Sequence, residues 1–465
     1  MNLPLDLAVR ATAATLYDRD AAPATLHVST DTRTLEPGDT FLALRGERYD
    51  GHDFVAEAVR CGAAMLVLER SDARPSGVAT MIVEDTKAAY MALAGAARDL
   101  FAGRVIAITG SAGKTTSKEF LTQLLSTVHG DRVLAAPGNE NNEIGVSKLL
   151  LDASNAAHDV IVAEMGARHY GDVAMLVEIA RPEIGIITNI GEAHVEIMGS
   201  RERLAETKWA LFGRGARAVL NAGDRVSQLR ARSLEHSPHW FAAVTDESQL
   251  KAHAELPLLT ALIGDRRLLN RAQHATREID VAVRVPGLHN RANLAAAIAG
   301  ALQLETPLER IAPALANVQL PGGRYASLTT DGGIRLIYDA YNANASSMVA
   351  ALDAFACETA SRRIAVLASM AELGDESQAL HEQVGEYAAG RVDVLVVQGE
   401  FAPALALGAR RGGLRSGQIV TVAGNAQAAR WLREHARRND AVLLKGSRKY
   451  KLEEIVEELK DSLGA

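Results

Sequence analysis

The most constraining feature of the chain is a short run in which a strand, a glycine turn and a helix follow one another without a break. Val105, Ile106, Ala107 and Ile108 are apolar and mostly β-branched, and they read as a buried parallel strand. Gly110-Ser111-Ala112-Gly113 turns the chain, and Lys114-Thr115-Thr116 opens a segment of helical spacing. Phe120, Leu121, Leu124, Leu125 and Val128 recur at helical intervals, which predicts one buried face. This order of elements is suited to holding phosphate. Backbone N–H groups converge on the anion, the helix dipole favours its charge, and the lysine adds a formal one. Thr115 sits where a hydroxyl can ligate Mg²⁺. The common phosphate loop, G-x-x-x-x-G-K-[ST], would need a glycine where this chain has Ile108, so the pattern here is the shorter G-x-x-G-K-T-T. A bound nucleoside triphosphate is the favoured expectation, and an ordinary strand–helix turn the competing one.

At 465 residues the chain has room for about three domains of roughly 150 residues each. A net charge of −7 argues against a nucleic-acid-binding surface. Cys61 and Cys357, the two cysteines, lie far apart in apolar helical patterns, so a disulfide framework is not expected. The first residues, Met1-Asn2-Leu3-Pro4-Leu5-Asp6, lack a basic region followed by an apolar core, and no run of about 18 apolar residues occurs. A cytoplasmic protein without membrane insertion is expected.

Along the chain, residues 1–84 are expected to form a small α/β unit, with strands over 25–29, 40–44, 63–68 and 80–83 and a helix over 53–61. Its Arg45-Gly46-Glu47-Arg48-Tyr49-Asp50-Gly51-His52 run is either a functional polar loop or a solvated turn. A helix over 85–100 leads into a second domain, 85–319, which carries the phosphate motif. Strand 159–164 ends on Glu164; in parallel sheets the carboxyl ends of strands face the ligand crevice, so Glu164 could reach nucleotide-bound Mg²⁺. A capping or surface glutamate is the alternative. Strand 184–190 is followed by His194, a lone histidine of a kind more often structural than functional that gains weight from this position. Helix 201–212 carries Lys208, which on such a helix is usually a snorkelling surface residue. Asn290 and Asn293 share one helix face and could read an adenine edge, with helix capping by Asn290 as the competitor. Residues 222–285 read as a helix followed by weaker strands. From Pro321-Gly322-Gly323-Arg324 onward, a third domain, 320–465, alternates strands (336–338, 364–368, 394–397, 419–422, 441–444) with helices, which predicts a Rossmann-like doubly wound sheet. No Gly-x-Gly-x-x-Gly follows these strands, so a dinucleotide site is unsupported.

Taken together, the chain resembles the Mur ligase family along nearly its whole length. These are ATP-dependent amide-bond ligases that build the peptide of bacterial cell-wall precursors. The resemblance rests on the short phosphate loop Thr109 to Thr116, Asn139-Glu140-Asn141-Asn142-Glu143-Ile144-Gly145, Glu164-Met165-Gly166-Ala167, Asn189-Ile190-Gly191-Glu192-Ala193-His194 and His289-Asn290-Arg291-Ala292-Asn293. Asp50-Gly51-His52-Asp53-Phe54, Asp339-Ala340-Tyr341-Asn342-Ala343-Asn344, Glu372-Leu373-Gly374 and Lys445-Gly446-Ser447-Arg448 are similar to the branch that adds D-alanyl-D-alanine to UDP-N-acetylmuramoyl-tripeptide.

The resemblance implies a fold and a set of roles. A small N-terminal α/β substrate domain, a central P-loop ATPase domain and a C-terminal Rossmann-like domain are expected. Gly110, Ser111, Ala112, Gly113, Lys114, Thr115 and Thr116 would hold the ATP phosphates. Thr115, Glu164, His194 and a carbamylated Lys208 would hold two Mg²⁺ ions, with Lys114, Glu164, His194 and Lys208 catalytic. Asn290 and Asn293 would flank adenine, and Arg324 and Asp339 would close over ATP. Thr32, Arg33 and Arg48 would take the UDP end, with Asn141, Asn142, Asn342 and Asn344 turned to substrate. The tripeptide carboxylate would accept the γ-phosphoryl group, and the dipeptide amine would displace phosphate from the acyl phosphate. The partners are then small molecules, and a monomer is expected.

The chain departs from the family pattern at Ala210, Tyr338, Ala345 and Ser369, all outside the phosphate loop. A ligase adding the third residue, a diamino acid or lysine, would carry Asp-Asn-Pro-Arg, and a GTPase switch Asn-Lys-x-Asp; neither motif occurs. A folylpolyglutamate synthase would lack the Asp-Gly-His N-terminal unit. A non-catalytic nucleotide-binding module would not need Glu164, His194 and Lys208 together.

Overall fold

The computed structural model describes residues 1–46, 49–191, 200–272 and 275–460, so His194 and Arg48 lie outside the described residues. The chain is an α/β protein built on three mostly parallel sheets. The central sheet runs, among the described residues, Ala275–Asp280, Arg267–Ala272, Leu259–Ile263, His239–Val244, Arg217–Asn221, Ile184–Ile187, Arg104–Thr109, Val160–Glu164 and Val133–Ala135. The first two pairings in this order are antiparallel and the rest are parallel.

The strand Arg104–Thr109 is buried on both faces, so it needs apolar residues at consecutive positions rather than alternate ones. Ile106 and Ile108 pack against Phe120, Leu121, Leu124 and Leu125 of the helix Lys114–His129, and against the helix Leu288–Gln303. Val105 and Ala107 face the opposite layer, which holds Ala89, Leu93 and Ala97 of the helix Thr86–Leu100. A Cβ on Gly300 would stand 2.7 Å from Ile186 Cδ1, so a glycine lets the helix Leu288–Gln303 lie close on the sheet. Val128 departs from the expected buried face: it is 37% exposed, on the last turn of its helix.

The C-terminal sheet runs Ala326–Thr329, Arg335–Tyr338, Ala441–Lys445, Arg363–Ala368, Val394–Gln398 and Ile419–Thr421. Its five expected strands are present. The additional edge strand Ala326–Thr329 pairs antiparallel with Arg335–Tyr338. The N-terminal sheet runs Thr15–Tyr17, Ala79–Ile82, Met65–Leu68, Thr40–Leu42 and Val28–Ser29. The expected strand 25–29 is split: Thr25–Leu26 pairs antiparallel with Leu3–Pro4, and Val28–Ser29 joins Thr40–Leu42. His27 lies at the break, with its ring bonded to Asp39 (2.7 Å) and its carbonyl to Thr40 N (2.7 Å).

In the C-terminal domain the helices Ser377–Ala389 and Ala402–Arg411 touch backbone to backbone. A Cβ on Gly385 would stand 2.0 Å from Leu405 O, and one on Gly408 1.8 Å from Glu382 O. Gly385→Ala is therefore expected to destabilise the protein by about 1–3 kcal/mol, read as a lower urea midpoint at unchanged slope. Gly390→Ala, at an open position with φ −82°, should leave the midpoint nearly unchanged.

Candidate active site

The carboxyl ends of the central strands converge on one turn. Gly110 has φ +150° and Gly113 φ +80°. A Cβ on Gly110 would stand 1.9 Å from Thr188 Oγ1, and one on Gly113 2.2 Å from Asn293 Oδ1. Neighbouring strand ends pin the turn from below. Thr109 Oγ1 donates to Met165 O (2.8 Å) and Thr188 Oγ1 to Ala112 O (2.6 Å). Ala112 N donates to Asn189 Oδ1 (3.1 Å), Ser111 N to Asn189 O (3.0 Å), and Gly191 N to Ser111 Oγ (3.0 Å). The turn is thus fixed by its neighbours before any ligand arrives.

Above it lies a cleft of about 610 Å³ between the central and C-terminal domains. Its floor is Ser111 to Thr116, one wall carries Asn139, Asn141 and Glu164, another Asn290 and Asn293, and the roof Arg324, Asp339, Asn342 and Lys445. Lys114 donates to Gly110 O (3.0 Å). Burial lowers its pKa, Glu164 raises it and Arg324 lowers it again, so a cation of the C-terminal domain is felt at the phosphate-loop lysine. Thr115 and Thr116 are buried at the helix start.

Glu164 is 2% exposed, and Asn141 Nδ2 donates to its Oε1 (2.7 Å). Its Oε2 is buried without a hydrogen-bond partner among the described residues. An orphan carboxylate oxygen on the cleft wall is a site for a cation. Among the described residues no three His, Cys, Asp or Glu side chains gather into a metal cluster. The Thr115 hydroxyl and Glu164 Oε2 therefore suit a Mg²⁺ completed by nucleotide oxygens and water. Lys208 is buried but is not among the cleft-lining residues. Burial first, and the Lys114 charge second, depress its pKa to about 7.

The remaining expected residues divide. Asn290 does not cap its helix: its Nδ2 donates to Pro286 O (3.1 Å) and Gly287 is the N-cap. Asn142 and Asn344 do act as caps, accepting from Gly145 N and Ser347 N (both 2.9 Å), although Asn344 also borders the cleft. Thr32 and Arg33 lie in the N-terminal unit away from these walls, and Arg33 is exposed and paired with Asp31 (2.6 Å). His52 of the polar loop is buried: its Nδ1 meets Asp50 Oδ1 (2.6 Å) and its Nε2 accepts from Glu69 N (2.9 Å). A Cβ on Gly51 would meet the Ala43 backbone, so Asp50-Gly51-His52 builds the loop itself.

The sequence expectations omitted Lys118. It is fully buried one turn after Lys114, donating to Ala136 O and Gly138 O and pairing with Glu119 (3.0 Å). It anchors the segment leading to Asn139 and Asn141, and its only sequence signal was a lysine among the buried residues of that helix.

Three family descriptions cover the chain: the Mur ligase family catalytic domain over residues 26–98, the Mur ligase middle domain over 108–301, and the Mur ligase glutamate ligase domain over 323–448. The UDP-N-acetylmuramoyl-tripeptide–D-alanyl-D-alanine ligase of Synechocystis is 36% identical over 382 residues, covering 81% of this chain and 78% of its own. Among solved structures, MurF from Acinetobacter baumannii superposes with a TM-score of 0.85 at 28% identity, covering 99% of both chains. MurF from Thermotoga maritima, solved in complex with ADP, does so with a TM-score of 0.79 at 26% identity, over 94% of this chain and 98% of that one.

Gly113→Ala places a side chain on a left-handed backbone and against Asn293, a strain of about 1–3 kcal/mol. It is expected to weaken ADP binding by roughly tenfold or more in calorimetric titration. Unchanged binding would mean that the turn does not hold nucleotide.

Proposed function

The chain belongs to the Mur ligase family, and from that premise we propose how it works as the ATP-dependent ligase that joins D-alanyl-D-alanine to UDP-N-acetylmuramoyl-tripeptide in peptidoglycan precursor synthesis. The carrying observation is the pinned phosphate turn facing Glu164 across a cleft whose roof comes from the C-terminal domain. The terminal carboxylate of the tripeptide attacks the γ-phosphorus of ATP, giving an acyl phosphate and ADP. The dipeptide amine then attacks the acyl carbon, loses its proton, and phosphate leaves with the C–O electron pair.

Both partners in the first step are anions, so the site must supply positive charge where charge builds up. Lys114 and the N–H groups from Gly110 to Thr116 hold the β- and γ-phosphates. Arg324 acts on them from the roof, with Asp339 beside it. Asn290 and Asn293 flank the adenine. Mg²⁺, when bound at Thr115 and Glu164, screens the triphosphate and draws electron density from it. Asn141 orients Glu164 by holding Oε1, which leaves the buried Oε2 without a hydrogen-bond partner among the described residues and so available to a cation. His194 would add a ligand from the segment that follows Gly191.

The depressed pKa of Lys208 supports its carbamylation. Only the neutral amine adds carbon dioxide, and a pKa near 7 makes that form abundant as pH rises through neutrality. The product is an anion and would serve a second Mg²⁺. Thr32, Arg33 and Arg48 take the UDP end, and Asn342 turns to substrate from the C-terminal side. No helix among the described residues is long and apolar enough to cross a membrane.

Purified protein is expected to release ADP only when Mg²⁺, the UDP-linked tripeptide and D-alanyl-D-alanine are all present. Equal turnover with a diamino acid and the UDP-linked dipeptide would overturn the assignment. Lys208→Ala should abolish turnover, and a short carboxylic acid added to the buffer should restore part of it. Activation of the wild type by bicarbonate should grow as pH rises through about 7. An active Lys208→Ala enzyme would show that no carbamate is needed.

A further inference from the structure

One buried charge on the cleft roof has no part in the chemistry just described. Lys445 ends the strand Ala441–Lys445, which lies between Arg335–Tyr338 and Arg363–Ala368 in the C-terminal sheet. It is 2% exposed. Its ammonium has three acceptors: Asp339 Oδ2 (2.9 Å), Asp339 O (3.1 Å) and Asn342 O (3.3 Å). An ammonium has three N–H donors, and all three are taken within the protein.

Those bonds lead to Arg324. The other carboxylate oxygen of Asp339 accepts from Tyr325 N (3.3 Å). Tyr325 has φ +51°, a left-handed conformation that an aromatic residue holds only when its surroundings over-determine it. Its hydroxyl donates to Glu358 (3.3 Å), its ring is buried, and Tyr341 N donates to Gly323 O (3.2 Å). The Arg324 guanidinium lies over the Tyr341 ring, 4.7 Å from its centre. The turn that carries Arg324 is thus clamped to the loop after Arg335–Tyr338, and Lys445 clamps that loop to the middle of the sheet.

We propose that Lys445 is a positioning residue for ATP: through Asp339 it holds the strained Tyr325 turn, and so sets Arg324 over the triphosphate opposite Lys114. This deepens the ligase assignment and rests on it. Without the ammonium, Asp339 is a mostly buried carboxylate with its ion-pair partner gone, a state that drives it toward solvent. That movement releases Tyr325 N, and the left-handed turn relaxes. Lys445 acts on Arg324 without touching nucleotide, so its effect should vanish once Arg324 is gone.

The test is a double-mutant cycle on the full chain with Lys445→Met, Arg324→Ala and their combination. Lys445→Met is expected to lower kcat/KM for ATP by roughly 30-fold or more, while the KM for D-alanyl-D-alanine stays within about twofold. Added to Arg324→Ala, it should cost less than about threefold further. The Mg²⁺ complex of AMP-PNP, titrated by calorimetry, should bind each variant in the same non-additive pattern with no turnover required. Lys445→Gln, which keeps two donors and the approximate volume, is run in parallel if Lys445→Met does not give a cooperative melt, and it should show a smaller loss with the same non-additivity.

Additive losses in kcat/KM and AMP-PNP affinity would overturn the proposal, since Lys445 would then act independently of Arg324. So would a loss confined to the dipeptide KM, which would make Lys445 an acceptor-site residue, and so would unchanged constants. A wild type that releases no ADP with all substrates present would instead overturn the ligase assignment itself.

Discussion

The pinning of the Gly110 to Gly113 turn is the interaction on which the rest of the site depends. Backbone N–H groups bind a polyanion well only if they already point at it, because a flexible turn would lose that advantage in ordering. Here Thr188 and Asn189, from the connection after Ile184–Ile187, and Asn293, from within the helix Leu288–Gln303, leave no room for a side chain at Gly110 or Gly113. The sheet order explains why they are available. Ile184–Ile187 pairs directly with Arg104–Thr109, so the residues that follow it emerge beside the turn. Val160–Glu164 pairs on the other side, and Glu164 emerges opposite them.

The electrostatics of the cleft follow from that crowding. A chain with a net charge of −7 presents Lys114, Arg168, Arg324 and Lys445 to one cavity, and keeps Lys208 buried within reach of Lys114. Burying these ammonium groups is unfavourable, and burial is the main cause of the lowered pKa values of Lys114 and Lys208, with the nearby cations adding to it. The arrangement is relieved by a polyanion, so the ground state of the protein is already shaped to the charge of its ligand. Glu164 offsets part of the positive field, and its Oε2 has no hydrogen-bond partner among the described residues.

How much of this was legible in the sequence depended on whether the signal was local. The phosphate loop, the alternation of the C-terminal domain and the strand-end position of Glu164 rest on patterns a few residues long, and the structure has them. The split at His27 was not legible, because residues 25–29 look like one strand until Leu3–Pro4 and Thr40–Leu42 compete for its two ends. Val128 keeps the helical period but lies on its helix's last turn, where it is exposed. Asn142 and Asn344 look like ligand amides in a motif, whereas a helix start needs an acceptor at the same place, and the two demands are indistinguishable by residue type. Lys118 is illegible for the opposite reason: lysines are rarely buried, and the carbonyls of Ala136 and Gly138, set by a different segment, with the neighbouring Glu119, make this one favourable.

The two domains that share the cleft meet where the helix Leu288–Gln303 begins. His289 stands on that helix with its ring edge-on to Tyr325 at 6.4 Å, and burial lowers its pKa to about 4. It is therefore neutral across the physiological range, so the contact between the domains there is one of shape rather than charge. The same Tyr325 turn carries Arg324 on its other side. A displacement of the C-terminal domain must then move Arg324 and the Tyr325 contact to His289 together, because one strained turn carries both. An acyl phosphate survives only where water is kept out, and a cleft whose roof moves as one piece can close over the reacting groups in a single step.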